Sequence, residues 1–328
     1  MQKKICVVTT SRSDFGILSD LIKSLNKSNK IILETVVSGS HLAKSYGSTI
    51  DEIIESDIKI TKKINILDDK YNNFSVNIFT KSIIKFGNFF KKKKIDIVLL
   101  LGDRYELLAI SSVCLLLNIP IAHLHGGEVT EGAIDDVIRH SITKMSFFHF
   151  TSTEKYRQRV IQLGENPKNV FNVGSLGVQN LKKIKKISKL DLEKKLNIKF
   201  NKSNLFLTYH PETLSNVKSE TILEYIFKVV SEYKNINLFI SLPNFDDKSF
   251  QIVKSIKKFS KKNKNCFLFK SLGKEKYFSL ITYMDGVIGN SSSGIIEVPS
   301  LKVGTVNIGN RQKGRIIPRS VINCQNNY

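Results

Sequence analysis

Short apolar runs rich in Val, Ile and Leu alternate with longer amphipathic segments from one end of the chain to the other. Runs bounded by polar breaks read as strands, and segments with an apolar position every three or four residues read as helices. In the first half this pattern predicts strands at Ile5–Thr9, Ile32–Val37, Ile95–Leu101, Ile119–His123, Phe147–Thr151 and Val170–Val173. Helices fall between them at Asp14–Leu25, His41–Ser56, Phe74–Lys91, Glu106–Leu117, Asp135–Lys144 and Thr153–Leu163. After Gly174 the pattern stops for a Gly-, Ser- and Lys-rich stretch ending near Lys189, which reads as a linker. It restarts with strands at Asn204–Thr208, Asn237–Ser241, Cys266–Phe269, Gly286–Gly289 and Val303–Ile308, and with helices such as Glu220–Glu232 and Asp246–Lys261. Such alternation implies parallel sheets built from βαβ units. The expected fold is therefore α/β, with two doubly wound Rossmann-like domains, 1–175 and 190–328, facing a central cleft.

Open α/β sheets bind ligands at the carboxyl ends of their strands, so the polar residues that follow each run are the candidates for chemistry. Ile95–Leu101 delivers Asp103 and Arg104, and Ile119–Leu124 delivers His125, Gly126, Gly127 and Glu128; Asp135 opens the next helix. Each charged residue alone could be a helix cap or a solvated side chain. Their recurrence at neighbouring strand ends, beside glycines that let backbone approach a ligand closely, points to an active site. The first strand empties into Arg12 and Asp14 at a helix start, which is either an anion site or a capped helix with a surface arginine. His210 ends a strand of the second half, just before Pro211, and imidazole is the natural proton-transfer group near neutral pH.

The segment Gly289–Glu297, GNSSSGIIE, is a strand, a turn and a helix start crowded with Asn290, Ser291 and Ser292. Hydroxyls and backbone N–H groups there would cradle a diphosphate, Glu297 would accept bonds from ribose hydroxyls, and Arg311 and Arg315 would add positive charge. His123, His125 and Glu128 invite comparison with a metal site, but no further carboxylate stands at ligand spacing, so no metal is expected. No G-x-G-x-x-G follows the first strand, which disfavours a nicotinamide enzyme.

The formal charge of +22, from 51 basic and 29 acidic residues, would ordinarily raise nucleic acid as a partner. The lysines are instead scattered over predicted helix faces, with no aromatic-interleaved basic stripe, so neither nucleic acid nor a membrane surface is expected. The four cysteines are far apart without C-x-x-C pairing, which fits reduced, mostly buried thiols in a cytoplasmic protein. There is no signal-peptide core and no apolar run of membrane-spanning length.

Taken together, TSRSDFG, SGSHL, GDRYE, HGGE with IDDVIRH, HPET, LPNFD, GNSSSGIIE and GNRQKGR resemble, in order and spacing, the motifs of the hydrolysing nucleotide-sugar 2-epimerases. The resemblance covers essentially the whole chain. It implies a glycosyltransferase B-type architecture, a nucleotide-sugar substrate and a homo-oligomer. It also implies a reaction in which the sugar C1–O bond breaks as a base removes the C2 proton, after which water adds to leave the inverted C2 and a nucleoside diphosphate. No metal or other cofactor is implied. Asp103, Asp135, His210, Ser291, Ser292, Glu297 and Arg311 match the family's functional positions, and Asn244 with Lys270, Ser271 and Leu272 resembles its nucleotide contacts.

Three departures stand out. Many members have Glu where this chain has His125, one extra residue precedes the IDD segment, and Gly16 replaces a common Ser. Glu128 or Asp135 is therefore the expected C2 base, with His125 positioning the sugar or relaying a proton, although His125 itself is the alternative. The HGGE form also resembles members acting on diacetamido-trideoxy sugars. Members usually continue beyond GNRQKGR with a further strand and helices, so the second domain is expected to be truncated at Tyr328. A glycosyltransferase of similar architecture and a non-hydrolysing epimerase are the rival readings.

Overall fold

In the computed structural model of the chain, residues 2–43, 49–67, 75–212, 217–243 and 249–325 are described. They form two compact units, one comprising 1–128 and 135–180, the other 129–134 and 181–328.

Unit 1 contains β1 (Lys3–Thr9), α1 (Arg12–Asn26), β2 (Ile31–Ser38), α2 (Ile50–Glu55), β3 (Lys62–Ile64), α3 (Ser75–Lys92), β4 (Ile97–Leu101) and α4 (Tyr105–Leu116). It continues with β5 (Ile121–Leu124), α5 (Asp135–Lys144), β6 (Phe148–Thr151), α6 (Glu154–Gln162), β7 (Val170–Asn172) and α7 (Leu176–Leu181). Its sheet is wholly parallel in the order β3-β2-β1-β4-β5-β6-β7. Both faces are covered, and successive residues of one strand enter different cores. Cys6, Val8, Val98 and Leu100 pack with Phe86, Leu107 and Ile110, whereas Val7, Leu99, Leu101 and Leu124 pack with Phe15, Leu18 and Ile22. That is the period-two geometry of a strand buried on both sides, and it explains why these segments are uniformly apolar rather than alternating.

Unit 2 contains α8 (Lys189–Leu196), β8 (Ser203–Thr208), α9 (Ser219–Ser231), β9 (Ile236–Ser241), α10 (Ser249–Lys262), β10 (Cys266–Phe269), α11 (Gly273–Ile281), β11 (Gly286–Gly289), α12 (Ser293–Ile296), β12 (Thr305–Ile308) and β13 (Val321–Cys324). The order is β10-β9-β8-β11-β12-β13, again parallel. Phe206 and Phe239 face one core, Leu207, Leu238 and Ile240 the other. Each sheet runs outward in both directions from its first strand, so the order reverses between β1 and β4 in unit 1 and between β8 and β11 in unit 2. In a doubly wound sheet those reversal points are where ligands bind.

The structure departs from the sequence reading in several places. The stretch read as linker contains α7, whose first turn is held by Ser175 Oγ accepting the Val178 N–H, and whose Asn180 Nδ2 donates to the carbonyls of Gly16 and Ile17. The helix expected from His41 to Ser56 is instead a 3-10 turn at Gly39–Leu42 and the short α2; residues 44–48 lie outside the described residues, as does the expected start of α10. The edge strands β3 and β13 are short and largely exposed, so no long apolar run revealed them. Residues 129–134 group with unit 2: the Glu131 N–H donates to the Lys313 carbonyl at 3.0 Å. Of the four free cysteines, Cys6 and Cys114 are buried, and burial raises both thiol pKa values, that of Cys114 to about 12. No helix among the described residues is long and apolar enough to cross a membrane.

Candidate active site

Parallel pairing of Leu101 with Leu124 sets the loops after β4 and β5 side by side at the carboxyl edge of the first sheet. Gly102, at φ 89°, turns the chain out of β4, and its N–H reaches back to the Leu124 carbonyl at 3.2 Å. His123, the third residue of β5, donates from Nε2 to the Gly102 carbonyl at 2.8 Å, with Nδ1 3.2 Å from Thr143 Oγ1. Both of its nitrogens are thus committed to holding the turn that carries Asp103. Burial pushes the imidazole pKa of His123 down to about 4, against the opposing pull of the Gly102 bond.

Asp103 accepts a hydrogen bond from Arg139 Nη2, while Nη1 of the same guanidinium donates to the Glu128 carbonyl at 2.9 Å. Arg139 is only 2% exposed. One buried cation therefore ties the loop after β4 to the loop after β5. Asp135 and Asp136 open α5, and Asp136 lies 3.7 Å from Arg139 Nη1.

His125 has a left-handed backbone, φ 62°, uncommon for a residue with a Cβ and a common mark of functional loops. Its N–H is anchored to the Phe150 carbonyl at 2.9 Å. The following Gly127, at φ 76°, lies where a Cβ would come within 2.5 Å of the Tyr156 carbonyl, so the turn admits only glycine there. This geometry brings His125 Nδ1 within 2.9 Å of Glu128 Oε1, which also accepts from Ser152 Oγ at 2.8 Å. An ionised carboxylate only accepts, so this contact holds a proton on Nδ1, and in the neutral imidazole Nε2 is then the acceptor. His125 Nε2, in a side chain that is largely buried, makes no hydrogen bond among the described residues.

Arg12 is the first residue of α1, and the bland half of its sequence reading is part of the answer: Ser11 and Asp14 form a capping box. Asp14 also accepts from Thr9, Thr10 and Ser11, and His41 Nε2 lies 3.0 Å from Thr9 Oγ1. Burial alone would raise the Asp14 pKa; its bonds to His41, Thr9 and Thr10 bring it below the usual carboxylate value. Arg104 pairs with Glu106 at 2.6 Å.

In unit 2, His210 follows β8 and Asn290 follows β11, at the reversal point of the sheet. The Asn290 side chain bonds both main-chain groups of His210, and Arg311 Nη1 donates to the Asn290 carbonyl at 3.1 Å. Ser291 and Ser292 are half-buried on the turn into α12. That helix is a single turn followed by a 3-10 turn, shorter than the sequence implied, because Pro299 cannot continue an α-helix past Ile296. Glu297, buried, closes it. Lys270 and Ser271 are exposed after β10, whereas Leu272 packs into the core at the start of α11. Arg315 donates its N–H to the Gln312 carbonyl in the turn after β12. Asn244 lies outside the described residues.

The site residues that sequence reasoning missed are Arg139, Ser152, His41 and Gln312. Ser152 sits at the end of β6 and falls under the same strand-end rule that found His125. Arg139, near the middle of a ten-residue helix, carried no signal of burial.

Two parallel, doubly wound units with polar residues gathered at the carboxyl ends of their strands define a two-unit α/β protein of Rossmann-like architecture. A sequence model described as UDP-N-acetylglucosamine 2-epimerase matches residues 23–328. The chain is 41% identical over 330 residues to a GDP/UDP-N,N'-diacetylbacillosamine 2-epimerase (hydrolyzing) of Campylobacter jejuni, covering 99% of this chain and 85% of the relative. It is 42% identical over 322 residues to a polysialic acid biosynthesis protein of Escherichia coli, covering 98% and 82%. Its fold is similar to that of a UDP-GlcNAc 2-epimerase of Methanocaldococcus jannaschii solved with UDP-GlcNAc and UDP, with a TM-score of 0.80 at 21% identity, covering 99% and 89%. The chain belongs to the UDP-N-acetylglucosamine 2-epimerase family, a family of enzymes.

Two outcomes follow from the buried groups of unit 1. Arg139→Met leaves Asp103 without its cation and lowers unfolding free energy by about 3 kcal/mol in urea titration, and Asp103→Leu added to it recovers at least about half of that loss. The His123 imidazole titrates near 4 when folded and near 6.5 when unfolded, so between those values the unfolded chain binds the extra proton. Stability accordingly falls as pH drops from about 6.5 to about 4, with His123 contributing about 3 kcal/mol; denaturant midpoints measured against pH should flatten in His123→Gln.

Proposed function

We propose that the enzyme is a hydrolysing 2-epimerase of UDP-linked 2-acetamido sugars, with UDP-N-acetylglucosamine as substrate and free N-acetylmannosamine and UDP as products. The observation that carries the mechanism is the His125–Glu128 pair. Glu128 fixes the Nδ1 proton, leaving Nε2 as the acceptor for the C2 proton, and the carboxylate stabilises the imidazolium that forms. This shifts the role of base from Glu128 or Asp135, favoured by sequence, to His125 acting with Glu128 behind it. The electrons of the C2–H bond become the C1=C2 bond, the C1–O bond breaks and the diphosphate departs. Water then adds its oxygen to C1 and a proton reaches C2 on the opposite face. His210 and Asp135 supply the remaining proton transfers, and Asp103, oriented by Arg139, positions the sugar. Arg12, Arg104, Arg311, Arg315, Lys270 and the Ser291–Ser292 turn neutralise and bind the diphosphate. Glu297 and the segment around Asn244 and Ser271–Leu272 hold the nucleoside.

The likeness to the Campylobacter protein favours a second substrate, nucleotide-linked N,N'-diacetylbacillosamine. The ratio of kcat/KM for the two UDP-sugars decides between them. We further read the protein as a cytoplasmic homo-oligomer without a nucleic-acid partner, which sedimentation velocity with and without duplex DNA checks.

Incubation with either UDP-sugar in deuterium oxide, followed by NMR, should yield UDP and a free mannosamine-type sugar carrying deuterium at C2, with no acceptor needed. A UDP-linked epimer as the final product, or turnover only with an added acceptor, would count against the hydrolysing reading. His125→Gln should lose at least about a hundredfold in turnover together with C2 exchange. Retained exchange in a folded variant passes the role of base to Glu128 or Asp135.

A further inference from the structure

His210 stands where β8 ends and Asn290 where β11 ends, and these neighbouring strands flank the reversal point of the second sheet. At a reversal point the connections that follow adjacent strands leave toward opposite faces, so no shared helix holds the two strand ends together. Pro211 also removes the next main-chain donor after His210, so the strand cannot hold that residue by continuing its ladder. The position of His210 must be set from outside its own strand.

Asn290 is placed to do this. Its Oδ1 accepts the His210 N–H at 2.7 Å, and its Nδ2 donates to the His210 carbonyl at 2.9 Å. Two bonds to one residue's main chain leave the amide a single sensible orientation, because a flipped amide would set donor against donor and acceptor against acceptor. The main chain of Asn290 is fixed in turn. Its N–H donates to the Thr208 carbonyl at 3.2 Å, and its carbonyl accepts from Arg311 Nη1 at 3.1 Å and Gln312 Nε2 at 2.9 Å. Gly289 just before it, at φ 133°, lets the strand ends close up: a Cβ there would lie 1.9 Å from the Thr208 carbonyl oxygen. The Asn290 side chain is fully buried, 0% exposed.

We propose that Asn290, although it opens the serine-rich turn, is a positioning residue for His210: it sets the backbone from which the imidazole works and does not bind the nucleotide. The proposal rests on the reading of His210 as a proton-transfer group.

The test is a double-mutant cycle on the full chain between Asn290→Asp and His210→Ala. The aspartate keeps an acceptor for the His210 N–H but sets a carboxylate oxygen against the His210 carbonyl. In the wild-type background it should lower kcat by at least about tenfold through misplacement of the imidazole, while the Kd for UDP, measured by calorimetry, stays within about twofold because no nucleotide contact is lost. In the His210→Ala background, where no imidazole remains to misplace, it should change residual turnover by less than about twofold. An equal loss in both backgrounds, or UDP binding weakened enough to account for the loss, overturns the proposal. Wild-type turnover in Asn290→Asp beside a crippled His210→Ala overturns it alone, whereas wild-type turnover in His210→Ala shows that the reading of His210 has failed and takes the proposal with it. If aspartate at 290 prevents folding, Asn290→Ser, which keeps a hydroxyl for the His210 N–H, replaces it in the same cycle. Independently of any variant, amide hydrogen exchange at His210 in the unaltered protein should be strongly protected; exchange at the unprotected rate would remove the clamp.

Discussion

A parallel strand covered on both faces keeps a charged side chain in its interior only where a partner reaches it, as Lys93 reaches Glu34 in β2, and the candidate site is arranged by that constraint. The strand interiors of β4, β5 and β8 face apolar cores on each side. A carboxylate or cation among them would lose its water with no partner to compensate. The polar side chains are therefore displaced to the carboxyl edge of each sheet, where Asp103, His125 and Glu128 stand in unit 1 and His210 and Asn290 in unit 2. The chemistry is gathered there because the packing leaves it nowhere else.

Displacement to an edge does not by itself give geometry, and the structure supplies it with buried polar groups that act across strands. His123 holds Gly102, Arg139 joins Asp103 to the Glu128 carbonyl, and Asn290 holds His210. Each replaces the water that a loop main chain would otherwise bind, and each is buried enough that an unmade bond would cost more than the made one contributes. Such groups are poor additions to stability when compared with well-packed apolar residues, particularly a buried guanidinium. Their effect is to reduce the number of arrangements open to loops that would otherwise be mobile.

This division explains which features could be read from the residues alone. The apolar runs and their polar ends are periodic, so the strand ends, the helix Asp135–Lys144 and most of the candidate site residues were legible. The clamps were not, because their meaning depends on contacts across the sheet. Arg139 looks like an ordinary surface cation in the middle of a helix, and Asn290 looks like one more polar member of a phosphate-type turn. The His125–Glu128 bond depends on a left-handed backbone at a histidine, which no local pattern announces. Edge strands such as Lys62–Ile64 and Val321–Cys324 were hidden for a different reason: they are short and largely exposed, so they look like loops. The stretch after Gly174 looked like a linker because Gly, Ser and Lys dominate it, yet Ser175 caps a helix there and Asn180 pins it to α1.

The six residues Val129–Ile134 carry a consequence for how this chain can be taken apart. The backbone passes between the two units at 128/129, at 134/135 and at 180/181, so neither unit is one continuous piece of sequence. A cut after Asn180 would yield a first fragment still bearing a short excursion that belongs to the other unit, with Gly132 shaped to lie against the Asn310 carbonyl. The second fragment would lack that segment and expose the surface it covers. The two halves are thus modules in architecture but not in genetics: an uninterrupted stretch of gene that encodes the first carries a piece of the second, and one that encodes only the main body of the second leaves that piece behind.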